Sequence, residues 1–201
     1  MSRKQMPEIN AGSMADIAFL LLIFFLVTTT MDIDSGILKK IPEKQDQPQE
    51  IIIKDRNILE VNLNRNNQVL IDNEIVSIKK IQQLAIDFID NGGGLDKNKK
   101  RCYWCTGKKL ANLSDHPSKA FISINSDRAT NYETYVKTLD KLNSAYTILR
   151  NKLSQKMYNI SYTELLKIYQ SNSKKKENAY TKIKVIREKY PLLISDIENT
   201  N

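Results

Sequence analysis

Met14-Ala-Asp-Ile-Ala-Phe-Leu-Leu-Leu-Ile-Phe-Phe-Leu-Val27 divides this chain in two. Ile17 to Val27 is eleven apolar residues without a break, the only run greasy enough to enter a bilayer. Extended to Ala11–Met31, the segment has 21 residues, about 31 Å as a helix, which matches one hydrocarbon crossing. A secretory leader is the rival reading, because Arg3 and Lys4 precede a short apolar stretch. Cleavage is disfavoured: Asp16 lies where the apolar region should begin, and Thr28-Thr29-Thr30-Met31 is no Ala-x-Ala-like site. The expectation is an uncleaved transmembrane helix over 11–31, preceded by a cytoplasmic segment over 1–10.

Asp16 is the informative residue of that helix. An ionised carboxylate at the bilayer centre costs about 2.5–3.5 kcal/mol on insertion scales. Such a residue persists when it pairs, lines a wet cavity or carries protons. At 100° per residue, Gly12, Asp16, Phe19, Ile23, Val27 and Thr30 share one face, flanked by Ala15 and Ala18. Small residues let helices approach closely in lipid, so this face belongs at a helix–helix interface. Two readings stand: a carboxyl that loads and unloads protons, and an Asp that pairs with a basic residue of a partner helix. The first is preferred.

The rest of the chain has room for one modest domain. With 41% hydrophobic and 27% charged residues, global disorder is excluded. The net charge of +8 is unevenly placed, since Lys137 to Tyr190 holds thirteen Lys/Arg against four Asp/Glu. A solvated helical face accounts for this excess, and attraction to phospholipid or cell-wall polymer is the alternative. Nucleic acid is excluded if this part lies outside the cytoplasm.

Residues 32–50, with Pro42, Pro48 and mixed charge, read as an extended linker. Leu59, Val61 and Leu63 alternate with Glu60, Asn62 and Asn64, the period of a half-buried strand. Arg65-Asn66-Asn67-Gln68 is turn chemistry, after which Val69 and Ile71 resume the alternation. Ile78, Ile81, Leu84, Ala85 and Phe88 follow at helical spacing, and Gly92-Gly93-Gly94 ends that helix. Thr130-Asn131-Tyr132-Glu133 fits a capping box, opening a helix with Tyr132, Tyr135, Leu139, Leu142, Tyr146, Leu149 and Leu153 at 3/4 spacing. That stripe is either a dimer seam or a face buried on the domain's own sheet, its second half packing on Tyr162–Tyr169 and Ile183–Ile186. Pro191 breaks the helical tract, and Leu192–Ile197 reads as a closing strand.

Cys102 and Cys105 stand as Cys-Tyr-Trp-Cys in a polar, Lys-rich loop. As a zinc site they supply two thiolates, and His116 with Asp115 would have to complete four. As a redox motif they lack a preceding strand and a helix to cap. As a disulfide clip in an oxidising compartment they need nothing else. The clip is preferred, no metal or other cofactor is expected, and His116 beside Pro117 reads as a loop residue. With one histidine and no Gly-rich phosphate cradle, nothing in the domain looks catalytic, so the chain reads as no enzyme.

These residues resemble the ExbD/TolR family of biopolymer transport proteins, single-span subunits of proton-driven motors in Gram-negative inner membranes. Glu8-Ile9-Asn10 precedes Asp16 by the family's spacing, and Ile41-Pro42 stands where the family places an apolar-Pro pair after the span. Asn57 to Asn91 has its hairpin and helix. Ala120-Phe-Ile-Ser-Ile-Asn-Ser-Asp127-Arg128, leading to Tyr132, Leu139, Asp140 and Leu142, is similar to its strand, Asp-basic pair and helix. The loop about 92–119 and the helical tract about 143–190 depart from it as insertions.

The resemblance implies one N-terminal transmembrane helix plus a periplasmic α/β domain over 51–201. That domain would be a two-layer sandwich, a small mixed sheet with helices on one face and an extended helical insertion. It implies an N-terminus in the cytoplasm and a single pass through the inner membrane. It also implies a dimer of this chain inside a pentamer of an ExbB/TolQ-like polytopic protein. Asp16 would carry the proton, Phe19, Ile23, Val27 and Thr30 would line the motor face, and a TonB-like transducer would receive the work. Peptidoglycan is a further partner to consider. The other class of reading is a non-energised anchor or adaptor, with Asp16 in a salt bridge.

Overall fold

The structure, a computed structural model, describes residues 11–28, 53–171 and 174–197. The expected cytoplasmic segment 1–10, the end of the span from Thr29 to Met31 and the linker 32–50 lie outside the described residues. The chain divides into two units, Met1–Gln49 and Glu50–Asn201.

In the first unit the apolar run forms helix α1, Ala11–Thr28. Its 18 residues span about 27 Å at 1.5 Å per residue, short of the ~30 Å hydrocarbon layer. Among the described residues no helix is long and apolar enough to cross a membrane. The 21-residue span expected from the sequence is thus seen only in part.

The second unit is built on a five-stranded mixed sheet in the order β3-β2-β1-β4-β5. Strands β1 (Ile58–Leu63), β2 (Val69–Ile71) and β3 (Glu74–Val76) form an antiparallel meander. Strand β4 (Phe121–Ser126) then adds in parallel beside β1, and β5 (Ile194–Ile197) in parallel beside β4. The turn after β1 uses Asn67 at φ 61°, as its Asn-rich sequence suggests. The turn after β2 uses Asp72 and Asn73 at φ 50° and 66°, the backbone that a two-residue hairpin of the primed type demands. This second turn adds β3, a strand that hydropathy alone does not mark: Glu74 and Ile75 are exposed and only Val76 is half-buried.

The alternation in β1 does what its pattern requires. Leu59, Val61 and Leu63 are buried, while Glu60 faces solvent. They meet Ile122 and Ile124 of β4, and above them lie helices α2 (Ile78–Ile89) and α3 (Tyr132–Tyr158). Helix α2 contributes Ile81, Ala85, Phe88 and Ile89 to this core. Helix α3 contributes Leu139, Leu142, Ala145, Tyr146, Leu149 and Leu153. The 3/4 stripe of α3 is therefore filled by the domain's own sheet, α2 and Tyr190 through Leu153. Its first residue, Tyr132, is left 72% exposed, so the stripe offers no continuous seam for a second copy.

A smaller core follows. Helices α4 (Tyr162–Gln170) and α5 (Lys176–Lys189) pack Tyr162 and Leu165 against Ala179, Ile183 and Ile186, with Tyr158 at the end of α3 alongside. The second half of the helical tract thus packs on the segments expected, but through Tyr158 rather than through Leu149 and Leu153.

Helix starts correct one reading. The cap of α3 is Asn131, not Thr130, and its side chain makes no capping hydrogen bond. The Thr130 hydroxyl instead donates to the Leu63 and Asn64 carbonyls (3.2 and 3.1 Å), tying the helix entry to the end of β1. Glu133 pairs with Lys137 one turn on. The capping box lies elsewhere, at Ser161–Glu164, where each side chain meets the other's backbone N–H.

Candidate functional site

Two places concentrate chemistry: Asp16 on α1, and the loop between α2 and β4. On α1, Asp16 is the only ionisable residue from Ala11 to Thr28. Gly12, Asp16, Phe19 and Ile23 fall on the face expected from helical spacing, and Phe19 and Ile23 are 58% and 43% exposed. Val27 continues the helix backbone, but its side chain and all of Thr30 lie outside the described residues. Apolar exposure is not confined to one face: Leu20, Leu21, Leu22, Phe24, Phe25 and Leu26 stand more than half open all round the helix. A helix apolar on every side belongs in a protein core or a membrane. Its C-terminal turn begins to satisfy itself, with the Thr28 hydroxyl donating to the Phe24 carbonyl at 2.8 Å.

The long loop is tied to α2 and the start of β1 by buried polar side chains. Asp90 caps α2 and becomes a hub: its Oδ2 accepts from the Thr106 backbone N–H (3.0 Å) and hydroxyl (2.7 Å), its Oδ1 from the Tyr190 hydroxyl (2.6 Å). Burial first, and the neighbouring carboxylate second, push the Tyr190 phenol far above its ordinary range, so it remains a donor. Asn91, fully buried, reaches the Leu110 and Ser114 carbonyls through its amide N–H groups and accepts from the Leu110 N–H. Asp115 is held between Arg56 (3.2 Å) and the Asn57 amide (3.1 Å), and Asn57 accepts in return from the Asp115 N–H. A charge buried in this way is tolerated because it is paired and fully hydrogen-bonded.

Cys102 and Cys105 are joined in a disulfide, with Cα atoms 5.5 Å apart. Gly92 sits behind it at φ +62°, where a Cβ would collide with the Cys105 side chain. The bonded sulfurs remove both thiolates from the zinc reading, and among the described residues no three His, Cys, Asp or Glu gather around a metal position. Between the cysteines, Tyr103 and Trp104 receive Lys189 from the end of α5. Its ammonium lies 4.0 Å from the Trp104 ring centre and donates to the Tyr103 hydroxyl at 2.7 Å.

His116 is more than a loop residue. It is buried, edge-on to Trp104 at 5.4 Å, and its Nδ1 accepts from the Ser118 N–H at 3.1 Å. Burial chiefly lowers its pKa below the ordinary value, with the Lys119 and Lys189 cations adding to burial and Asp96 opposing it. Sequence reasoning found Asp16 from its apolar surroundings. It missed the network of Arg56, Asn57, Asp90, Asn91 and Asp115, whose partners are scattered along the chain. The run Ser114-Asp115-His116-Pro117, buried throughout, carries no local signal of that burial.

Compared with known families, residues 2–154 match the model of the biopolymer transport protein ExbD/TolR. That is more than half of the chain, and the protein belongs to the ExbD/TolR family. The match takes in α1 with Asp16, the sheet as far as β4 and most of α3. It stops short of α4, α5 and β5. No curated protein matches the chain. Membership carries a role in biopolymer transport.

Proposed function

We propose that the chain is the single-span, proton-carrying subunit of an inner-membrane motor, with its N-terminus in the cytoplasm and its α/β unit in the periplasm. The supporting observation is the coincidence of the family match with a helix that is apolar all round and bears one acid, Asp16. In this reading residues 11–31 cross the membrane once, and two copies stand inside a pentameric ExbB/TolQ-like partner. Asp16 is charged when it faces water and protonated when it faces oil or protein, because leaving it ionised there is costly. Phe19, Ile23, Val27 and Thr30 form the face that turns against the partner. Each proton crossing supplies about 2.3 kcal/mol per 100 mV, delivered through residues 32–50 to the periplasmic unit and on to a TonB-like transducer for transport across the outer membrane.

Asp16→Asn tests this. The isosteric amide keeps the helix and its partners but holds no exchangeable charge. Co-purification with the partner should survive while energised transport is lost. Transport at the normal rate in that variant would end the proton role. Loss of assembly, restored by swapping Asp16 with a basic residue of the partner helix, would instead make the chain a passive anchor.

A further inference from the structure

We propose that a cavity at the N-terminal ends of β1, β4 and β5 binds a small amphipathic anion, a carboxylate with a short apolar body. The cavity measures about 410 Å³, within the range that holds a small organic ligand. Its apolar wall is Ile53, Phe121 and Leu193, one residue from each of the three segments that lead into the parallel strands. Its cations are Lys54, Lys97 and Lys119. They come from positions far apart in sequence and meet only because the 92–119 loop folds back to the start of β1.

The balance of charge favours an anion. Asp115 is the one carboxylate in the lining, and it is already satisfied by Arg56 at 3.2 Å and by the Asn57 amide at 3.1 Å. The Lys119 ammonium is steadied by donating to the Leu95 carbonyl at 2.7 Å, which leaves two of its three N–H donors for a guest. Among the described residues neither Lys54 nor Lys97 has an ion-pair partner. Three lysines lining a largely apolar cavity suit a carboxylate whose hydrocarbon part covers Phe121 and Leu193. The Ser118 hydroxyl, 2.8 Å from His116 Nδ1, is engaged with that ring, so recognition rests on the lysines.

Four lining residues, Lys97, Asp115, Ser118 and Lys119, belong to the long loop between α2 and β4. The proposal does not depend on the motor reading. The carboxylate could belong to a free short-chain acid or to the last residue of a peptide, and the two sources can be separated.

The test is calorimetric titration of the detergent-purified full chain with 4-methylpentanoate, with 4-methylpentanamide as its uncharged twin, and with N-acetyl-alanyl-leucine. Saturable binding of a carboxylate probe is expected. It should weaken at least about tenfold for the amide and at least about tenfold in the Lys54→Gln/Lys119→Gln double variant, since charge-assisted hydrogen bonds are lost. Tighter binding of the dipeptide than of the free acid assigns the site to peptide C-termini, and the reverse assigns it to free acids. If the double variant melts early, Lys54→Gln/Lys97→Gln, both at exposed positions, carries the same test. Absence of saturable binding by either carboxylate, equal binding of the amide, or unchanged affinity in the folded lysine variant would each overturn the proposal.

Discussion

Helices α1 and α3 both read from sequence as apolar helices, and the structure treats them in opposite ways. In α3 the apolar residues form one stripe, and every member from Leu139 to Leu153 is covered by the chain itself. In α1 the apolar residues run round the helix, and from Ile17 to Leu26 each is exposed. A stripe accounts for its own existence by burying against a sheet. A helix apolar on all sides does not account for itself in this way, and the proposed motor reading supplies its cover from membrane and partner helices, where Asp16 would carry the proton.

The comparison can be broken from either end. The largest effect is expected in α3: Leu142→Ala, at a fully buried site, should lower the stability of the α/β unit by about 2–5 kcal/mol. Chemical denaturation of the full chain in detergent, followed by tryptophan fluorescence, measures it. A loss below about 1 kcal/mol would mean that the stripe is not the core. On α1, Leu21→Arg should leave that denaturation curve unchanged and instead disfavour membrane insertion by about 2.5–3.5 kcal/mol. Fractionation would then find the chain depleted from membranes, whereas normal membrane recovery would argue that bilayer does not cover this face.

Smaller changes sharpen the picture of the loop and the helical tract. Tyr190→Phe removes a donor from buried Asp90 and should cost about 1–3 kcal/mol, measured by the same denaturation. Ser161→Ala removes the cap of α4 and should cost about 1 kcal/mol, read as earlier exchange of the amides of that helix. His116 gives the smallest effect, through pH. Its folded pKa is lowered, chiefly by burial, so below about pH 6.5 the unfolded chain binds the proton more readily. Stability should therefore fall as pH drops from about 6.5 toward the folded value. His116→Phe should flatten that part of a melting-temperature profile, and an unaltered slope would place the effect on other groups.

How far the sequence reaches follows the same division. The alternation at Leu59–Leu63 and the 3/4 spacing at Ile81–Phe88 each report a single buried face, so β1 and α2 were legible within a residue or two. β3 was not, because Glu74-Ile75-Val76 buries almost nothing; the positive-φ pair Asp72-Asn73 was its usable signal. The Ser161-Tyr-Thr-Glu164 box was also present in the letters, while Thr130–Glu133 matched the same pattern and was put to another use by Leu63 and Asn64. Asp16 stood out because an acid among hydrocarbons is rare. The lysine-rimmed cavity and the Asp90 and Asp115 hubs could not stand out, since their partners are brought together by folding across 16 to 100 positions.

The central claim is that Asp16 changes protonation state in its working environment. Infrared difference spectroscopy on the chain co-reconstituted with its membrane partner, comparing the native protein with Asp16→Asn, addresses it directly. The expected result is a protonated-carboxyl band at near-neutral pH that is absent from the variant and changes when the membrane is energised. A carboxylate signal from Asp16 that stays ionised throughout, indifferent to pH and to the proton gradient, would contradict the account.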